Sequence, residues 1–380
     1  MRTTKPYNIE PLWERVHAEG AAWAMMLGAR GIRKSSEVQR KMLEKYYSTD
    51  REFIYLRRYK DEISDSACEQ YWGFINDDPI GQQLLKDITK GEYNRIMVYR
   101  KKIFYAHTDE TGKVDKRKQI GYCHALNDAG SYKSLQFPKV EDIIYEEFVP
   151  DRVTFLVKEP SKLQEYASTI IRGREGCTIW LIGNTISHLN PYAEAWGLKG
   201  VERMKPHQID VYERVNKYLT EEGVQEQTVK IIVEQCAGQG IFSAIAFGAD
   251  AKHIGGNSYR EELQPLVRAD FIEDSCECIY TIYLFYQNLK FRMDFERIDE
   301  RRFFWYVRPA KSSIAQEDDE LIDERVITDK PDFNPMHTTF SPVSAKERRL
   351  FTYFAEGKVW FSDNMTGTDW MQVYQAMLRD

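Results

Sequence analysis

Short apolar runs recur through the first half of the chain, each separated from the next by a polar, helix-compatible stretch. Residues 21–27 (Ala-Ala-Trp-Ala-Met-Met-Leu), 53–59, 143–145, 177–184 and 228–236 are rich in β-branched and aromatic side chains and lack polar alternation. Runs of this kind are strands covered on both faces. Interleaved with helical segments such as 36–47, they predict an α/β fold with a parallel sheet. Residues 95–106 and 119–126 predict a hairpin whose tip is the charged stretch 109–118.

The pattern changes after Cys236. Residues 237–257 are rich in Gly and Ala without a clear period and, with the segment up to 270, predict a small linking lobe. Residues 279–286, 289–295 and 302–307 read as three consecutive antiparallel strands. A polar, acidic stretch (312–332) follows, and then helices at 345–357 and 368–378 around a short strand at 359–361. The expected organisation is a nucleotide-binding domain over 1–236, the lobe over 237–270, and an α+β domain over 271–380.

The first apolar run ends in Gly28-Ala29-Arg30-Gly31-Ile32-Arg33-Lys34-Ser35. This nearly matches the phosphate-binding pattern GxxxxGK[ST], with Arg33 in place of the last glycine. Strand, Gly-rich turn and helix N-terminus together aim backbone N–H groups at a polyphosphate. Lys34 would reach the β and γ phosphates of ATP and Ser35 would ligate Mg²⁺. The apolar strand at 143–145 ends in Glu146-Glu147, an acidic pair suited to phosphoryl transfer: the first to hold the metal, the second to polarise the attacking water. Asn184 ends the next apolar strand, at the edge where ligands of parallel sheets lie. Arg172 and Arg174 precede that strand and could offer a guanidinium to a neighbouring subunit's γ-phosphate.

The composition is globular, with 42% hydrophobic and 29% charged residues. No apolar run approaches a membrane span and no signal pattern opens the chain, so cytoplasm is the expected place and a membrane is not an expected partner. The six cysteines are scattered and read as reduced structural thiols. A net charge of −6 argues against a protein that coats nucleic acid over its whole surface. Local basic clusters remain: Arg57, Arg58 and Lys60; Arg100, Lys101 and Lys102; Lys113, Lys116, Arg117 and Lys118. They matter only where the fold points them at one place.

Taken together, the phosphate loop, the Arg57-Arg58-Tyr59-Lys60 block, the acidic strand 143–148 and the block from Asn184 to Asn190-Pro191-Tyr192 resemble the DNA-encapsidation ATPases of small phi29-type tailed phages. The resemblance covers most of the chain and is weaker in the C-terminal half. It implies a P-loop NTPase of the additional-strand, catalytic-glutamate class with a ribonuclease-H-like C-terminal domain that has lost nuclease activity. It further implies a homopentameric ring at the portal vertex of a prohead in the host cytoplasm. The ring would translocate double-stranded DNA and contact the portal, with a scaffold RNA as a further partner. By position it carries over Lys34 and Ser35 as phosphate and Mg²⁺ residues, Glu146 as metal holder and Glu147 as the base. Arg172 becomes a trans-acting finger, Lys133 a second basic group across the subunit interface, and Lys60 a residue facing the DNA channel.

Arg33 raises the alternative of a nucleotide-binding subunit with weak or no hydrolysis. A P-loop kinase is a second alternative, disfavoured by the large C-terminal domain. In that domain Asp294, Asp363 and Asp369 are the carboxylates a nuclease would use, and they form no convincing triad.

Overall fold

The computed structural model describes residues 6–150, 155–184, 190–220, 223–238, 276–287, 289–300, 302–310, 325–328, 337–339 and 342–377. The lobe expected at 237–270 lies almost wholly outside the described residues. The chain divides into two compact units: Met1–Pro150 with Thr154–Thr185 and Gly200–Ser258, and Asp151–Val153 with Ile186–Lys199 and Tyr259–Asp380.

The first unit is built on a nine-stranded sheet. Its strands are β1 (Trp23–Gly28), β2 (Glu52–Arg57), β3 (Arg95–Tyr99), β4 (Lys102–Thr108), β5 (Val114–Ala125), β6 (Val140–Glu146), β7 (Thr178–Asn184), β8 (Ile209–Thr220) and β9 (Gly223–Cys236). The order is β3-β4-β5-β2-β6-β7-β1-β9-β8. Neighbours from β5 to β9 pair in parallel, whereas β3-β4-β5 and β8-β9 are antiparallel. The sheet is therefore mixed, a correction to the parallel sheet expected from the apolar runs. The parallel centre was visible because β1 is buried along its whole length and β2, β6 and β7 nearly so. The edges were not: β8 carries Asp210, Glu213, Arg214 and Asn216, and no buried run marks it. The expected 95–106 strand is itself a hairpin, β3 and β4, and the meander continues into β5 through a tip at 109–113.

Helices cover the sheet. They are α1 (Glu10–Glu19), α2 (Lys34–Thr49), α3 (Asp65–Tyr71), α4 (Gly73–Asp77), α5 (Pro79–Thr89) and α6 (Glu159–Ile171). Val38, Met42, Leu43 and Tyr46 form the buried stripe of α2, at helical spacing. They pack into a core with Trp72, Tyr105 and Trp180.

One buried ion pair ties the loops beyond β2 and β6 to α6. Arg58, one residue past β2, is 4% exposed and grips Glu159 with two bonds, Nε to Oε2 at 2.8 Å and Nη2 to Oε1 at 3.0 Å. The same guanidinium donates to the carbonyls of Glu147 (3.1 Å) and Phe148 (2.7 Å) just past β6. Tyr145 Oη and the Leu156 amide complete the Glu159 carboxylate at 2.8 and 2.7 Å.

The second unit contains α7 (Pro191–Ala195), whose N-cap is the Asn190 side chain, accepting from the Tyr192 and Ala193 amides. Its sheet comprises β10 (Glu277–Tyr286), β11 (Leu289–Arg297), β12 (Phe303–Pro309), β13 (Arg325–Thr328), β14 (His337–Thr338) and β15 (Val359–Phe361), in the order β14-β13-β10-β11-β12-β15. The expected antiparallel trio is β10-β11-β12. The short strand β15 joins β12 in parallel, and β13 adds in parallel to β10. β13 lies inside the stretch read as polar and acidic; its four residues are all buried. The residues after Asp294 are less solvated than expected, since Glu296 is buried and the turn closes only between Ile298 and Arg302. Helices α8 (Ala345–Ala355) and α9 (Asn364–Met377) pack Phe354 and Trp370 onto Trp305 and Phe361.

Arg58→Leu leaves the Glu159 carboxylate buried without its cation, and such a break costs about 3–5 kcal/mol. Urea unfolding is expected to show a loss of that size. A loss under about 1 kcal/mol would mean that water replaces the guanidinium.

Candidate functional site

β1 delivers Gly28 to a position where its neighbours leave no room for a side chain: a Cβ would stand 2.6 Å from the Cys236 carbonyl oxygen. The chain then turns through Gly31 (φ +80°) and Arg33 (φ +76°), and α2 begins at Lys34. Arg33 thus occupies the left-handed conformation that the missing glycine would adopt freely, a strain of order 1–3 kcal/mol. Its guanidinium lies over the Phe74 ring of α4, 5.7 Å from the centroid.

Lys34 is buried within this turn. Its ammonium donates to the carbonyls of Gly28 (3.0 Å) and Ala29 (2.7 Å) and to Asn184 Oδ1 (3.2 Å). Asn184 pairs directly with Gly28 across the β1–β7 ladder, which sets that contact. Burial lowers the Lys34 pKa to about 8. Glu146 ends β6 and is 6% exposed. Burial raises its pKa, opposed by the Ser35 hydroxyl and by the Arg57 and Lys34 charges. Its Oε1 is buried with no hydrogen-bond partner. A buried carboxylate oxygen without a partner, next to a hydroxyl at a helix N-terminus, suits a hard divalent cation such as Mg²⁺. Glu147 follows at φ +52° with its carboxylate half-exposed and paired to Arg57 at 2.8 Å. These groups line one cleft of ≈ 370 Å³ with Arg30, Phe74 and Asp78.

The other expected site residues lie elsewhere. Arg172 caps α6 at φ +50° and donates to the carbonyls of Lys133 (3.1 Å) and Leu135 (3.0 Å). The two basic residues are thus side by side, and neither lines the cleft. Arg174 is spent on the carbonyls of Phe137 and Pro138. Lys60 is exposed in the turn after β2, 3.3 Å from Asp128.

Sequence reasoning placed Arg57 in a basic cluster but missed its partners, for it holds both Glu147 and Glu62. It also missed Phe74 and Asp78. The Asp78-Pro79 pair is a helix-start signal, and the Asp78 carboxylate does cap α5. Glu234 was hidden in an apolar run: it accepts from Tyr7 Oη at 2.6 Å, and burial raises its pKa to about 7. Tyr7 in turn bonds the phosphate loop through its amide to the Ile32 carbonyl (3.4 Å).

In the second unit, Asp294 is fully buried. It accepts from Thr281 Oγ1 (2.7 Å), Arg292 Nε (2.9 Å) and Arg308 Nη2 (2.8 Å). Asp363 bonds the Thr366 amide at the start of α9. Among the described residues no group of three His, Cys, Asp or Glu side chains is placed to hold a metal.

Residues 14–216 match the Podovirus DNA encapsidation protein (Gp16) family, more than half of the chain. The DNA packaging protein of Bacillus phage B103 is 27% identical over 175 residues, 46% of this chain and 47% of that protein. That of Bacillus phage phi29 is 27% identical over 169 residues, 44% of each. The chain thus spans less than half the length of the curated relatives it matches. The viral genome packaging motor assembly of bacteriophage Phi-29 shares the fold, with a TM-score of 0.53 at 18% identity over 98% of this chain and 99% of that one.

The Lys34 titration gives a pH signature. A polyphosphate held by Lys34 would bind the ammonium form and raise its pKa, so affinity would be fully present below about 8 and fall as pH rises through it. Titrating Mg²⁺-ATP binding between pH 6.5 and 9.5 is expected to show that fall, steepest above about 8. Affinity that is flat across the range would mean Lys34 does not meet the phosphates.

Proposed function

This chain belongs to the Podovirus DNA encapsidation protein (Gp16) family, and from that premise we propose that it is an ATPase subunit of a motor that drives double-stranded DNA into a prohead. The observation that carries the reading is the convergence of Lys34, Ser35, Glu146, Glu147 and Asn184 on one cleft at the C-terminal edge of the parallel strands. Strand order supports the additional-strand, catalytic-glutamate class of P-loop NTPase, because β7 stands between the phosphate-loop strand β1 and the acidic strand β6. On this reading residues 1–236 are the ATPase domain and 271–380 the ribonuclease-H-like domain. The β14-β13-β10-β11-β12 order, antiparallel through β10-β11-β12 and parallel outward to β13 and β14, supports the latter. Asp294, held by two arginines, supports a domain without nuclease activity.

The residues divide the work as follows. Backbone amides of residues 29–35 and the Lys34 ammonium hold the β and γ phosphates of ATP. Ser35 and Glu146 would hold Mg²⁺, which neutralises phosphate charge when bound. Glu147 takes the proton of a water as its oxygen attacks the γ-phosphorus and the bond to ADP breaks, giving ADP and phosphate. Asn184, bonded to Lys34, orients that ammonium and senses the γ-phosphate. Arg172 and Lys133, together on an exposed surface outside their own cleft, serve the cleft of the next subunit, which requires a ring. A pentamer, the prohead portal and a scaffold RNA complete the assembly, acting in the host cytoplasm, with Lys60 facing the DNA.

Glu147→Gln preserves shape and removes the base, so ATP binding is expected to persist while turnover drops by about 10²-fold or more. Turnover within a few-fold of the parent would show that the base lies elsewhere.

Mixing Arg172→Ala subunits with Glu147→Gln subunits tests the trans assignment. Mixed rings contain interfaces with an intact Glu147 on one side and an intact Arg172 on the other, so hydrolysis is expected to exceed both parents. Activity that never rises above the parents places Arg172 outside the reaction or in its own cleft.

A further inference from the structure

The β3–β4 hairpin closes through two residues, Arg100 and Lys101, between the paired Tyr99 and Lys102. Both carry positive φ, +49° and +57°. Two-residue turns of this kind favour Asn-Gly or Gly-Gly, because both central residues must be left-handed. Here the strained positions hold two long cations. Asp65, which opens α3, holds them in place by accepting the Arg100 amide at 2.7 Å and the Lys101 amide at 2.8 Å. Strain kept in place by dedicated bonds at an exposed point directs attention to what the side chains do.

Those side chains form a basic, aromatic surface. Tyr99 is 45% exposed, with the Arg100 guanidinium 5.2 Å and the Arg117 guanidinium 5.9 Å from its ring centroid. Arg117 also lies over Phe104, at 5.4 Å. Among the described residues Arg100, Lys101, Lys102 and Arg117 form no ion pair. The basic residues further along the meander differ: Lys116 pairs with Glu92, and Lys118 and Lys139 pair with Asp50. Four basic side chains without an ion pair therefore gather at this turn beside the Asp65 carboxylate, on a chain of net charge −6.

The turn also belongs to the edge hairpin of the sheet whose strand β2 leads into Lys60. Ala125 of β5 pairs with Arg57 of β2, Tyr122 pairs with Lys102, and Lys60 follows Arg57 by one short turn that runs through Ser64 into Asp65. We propose that the Arg100–Lys101 turn, with Lys102 and Arg117, is a contact surface for the phosphate backbone of duplex DNA, continuous with Lys60. The proposal rests on the DNA-motor reading and names the residues that would grip. A guanidinium stacked on an aromatic ring keeps its N–H edge free for phosphate oxygens, and its orientation is set beforehand. Such contacts carry no base recognition, as a motor passing any sequence requires.

The test is the double substitution Arg100→Asn with Lys101→Gly, which removes both charges and supplies the residues that the turn conformation prefers. It is expected to melt no lower than the parent. Its affinity for a random-sequence duplex is expected to fall by about tenfold or more at moderate salt. The slope of log affinity against log salt should become shallower by about 2, since each lost phosphate contact removes roughly 0.9. Arg117→Ala, away from the turn backbone, is expected to lower the slope by about 1. Parent-like affinity and slope in both variants overturn the proposal. If Lys60→Ala alone weakens binding, the DNA reading stands and the turn is excluded. If the parent chain binds no duplex at any salt, the DNA reading itself falls and takes the proposal with it.

Discussion

The cleft depends on the guanidinium of Arg58. Four of its hydrogen bonds go to the Glu159 carboxylate and to the carbonyls of Glu147 and Phe148, so one side chain ties the end of β2 to the segment after β6 and to α6. Without it, the segment just after β6 loses its two backbone bonds to the β2 side and keeps there the Arg57–Glu147 side-chain pair. The geometry requires Arg specifically, because only a planar fork grips a carboxylate side-on and still reaches two carbonyls.

Backbone strain is concentrated where chemistry is assigned. Arg33, Glu147, Arg172, Arg100 and Lys101 all have positive φ without being glycine. In each the strained backbone is held by specific partners or packing: Phe74 beneath Arg33, the Arg58 bond to the Glu147 carbonyl, the Lys133 and Leu135 carbonyls at Arg172, and Asp65 at the hairpin turn. Left-handed residues at helix ends such as Asp50 and Lys90 do ordinary capping. Arg172 caps α6 in the same way but its guanidinium also reaches the Lys133 and Leu135 carbonyls, while Arg33, Glu147, Arg100 and Lys101 lie at the cleft or at the hairpin turn.

How much of this was legible in the chain follows from what burial does to residue choice. Strands covered on both faces must be apolar throughout, so β1, β2, β6 and β7 announced themselves, and the loop and acidic pair at their ends came with them. The edge strand β8 is polar along its length, so it left no run to see, and β13, though buried, is only four residues long within a polar stretch. The substitution of Arg33 for glycine was visible, but its strain became concrete only with its φ. Pairings across the fold were invisible: that Arg57 holds Glu147, that Arg172 meets the Lys133 carbonyl, or that Asp65 clamps the 100–101 turn depends on topology, not on spacing. Helices α3–α5 bring Phe74 and Asp78 to the cleft, from a stretch whose last helix, α5, is amphipathic and starts at the Asp78-Pro79 signal.

The electrostatics of the cleft explain why these two charged residues are buried at all. Burial pushes Lys34 toward its neutral form and Glu146 toward its neutral form as well, and their mutual attraction only partly offsets either shift. Lys34 spends its donors on two carbonyls and the Asn184 amide oxygen, while one Glu146 oxygen has no hydrogen-bond partner. Each is therefore a buried ion with incomplete compensation, an arrangement that lowers stability. A magnesium triphosphate carries both missing charges in one ligand, anionic oxygens for Lys34 and a cation for Glu146. On the proposed reading, the stability forgone in placing the two ions here would be regained as affinity for a ligand bearing both signs, which a simple phosphate or a lone cation would not match.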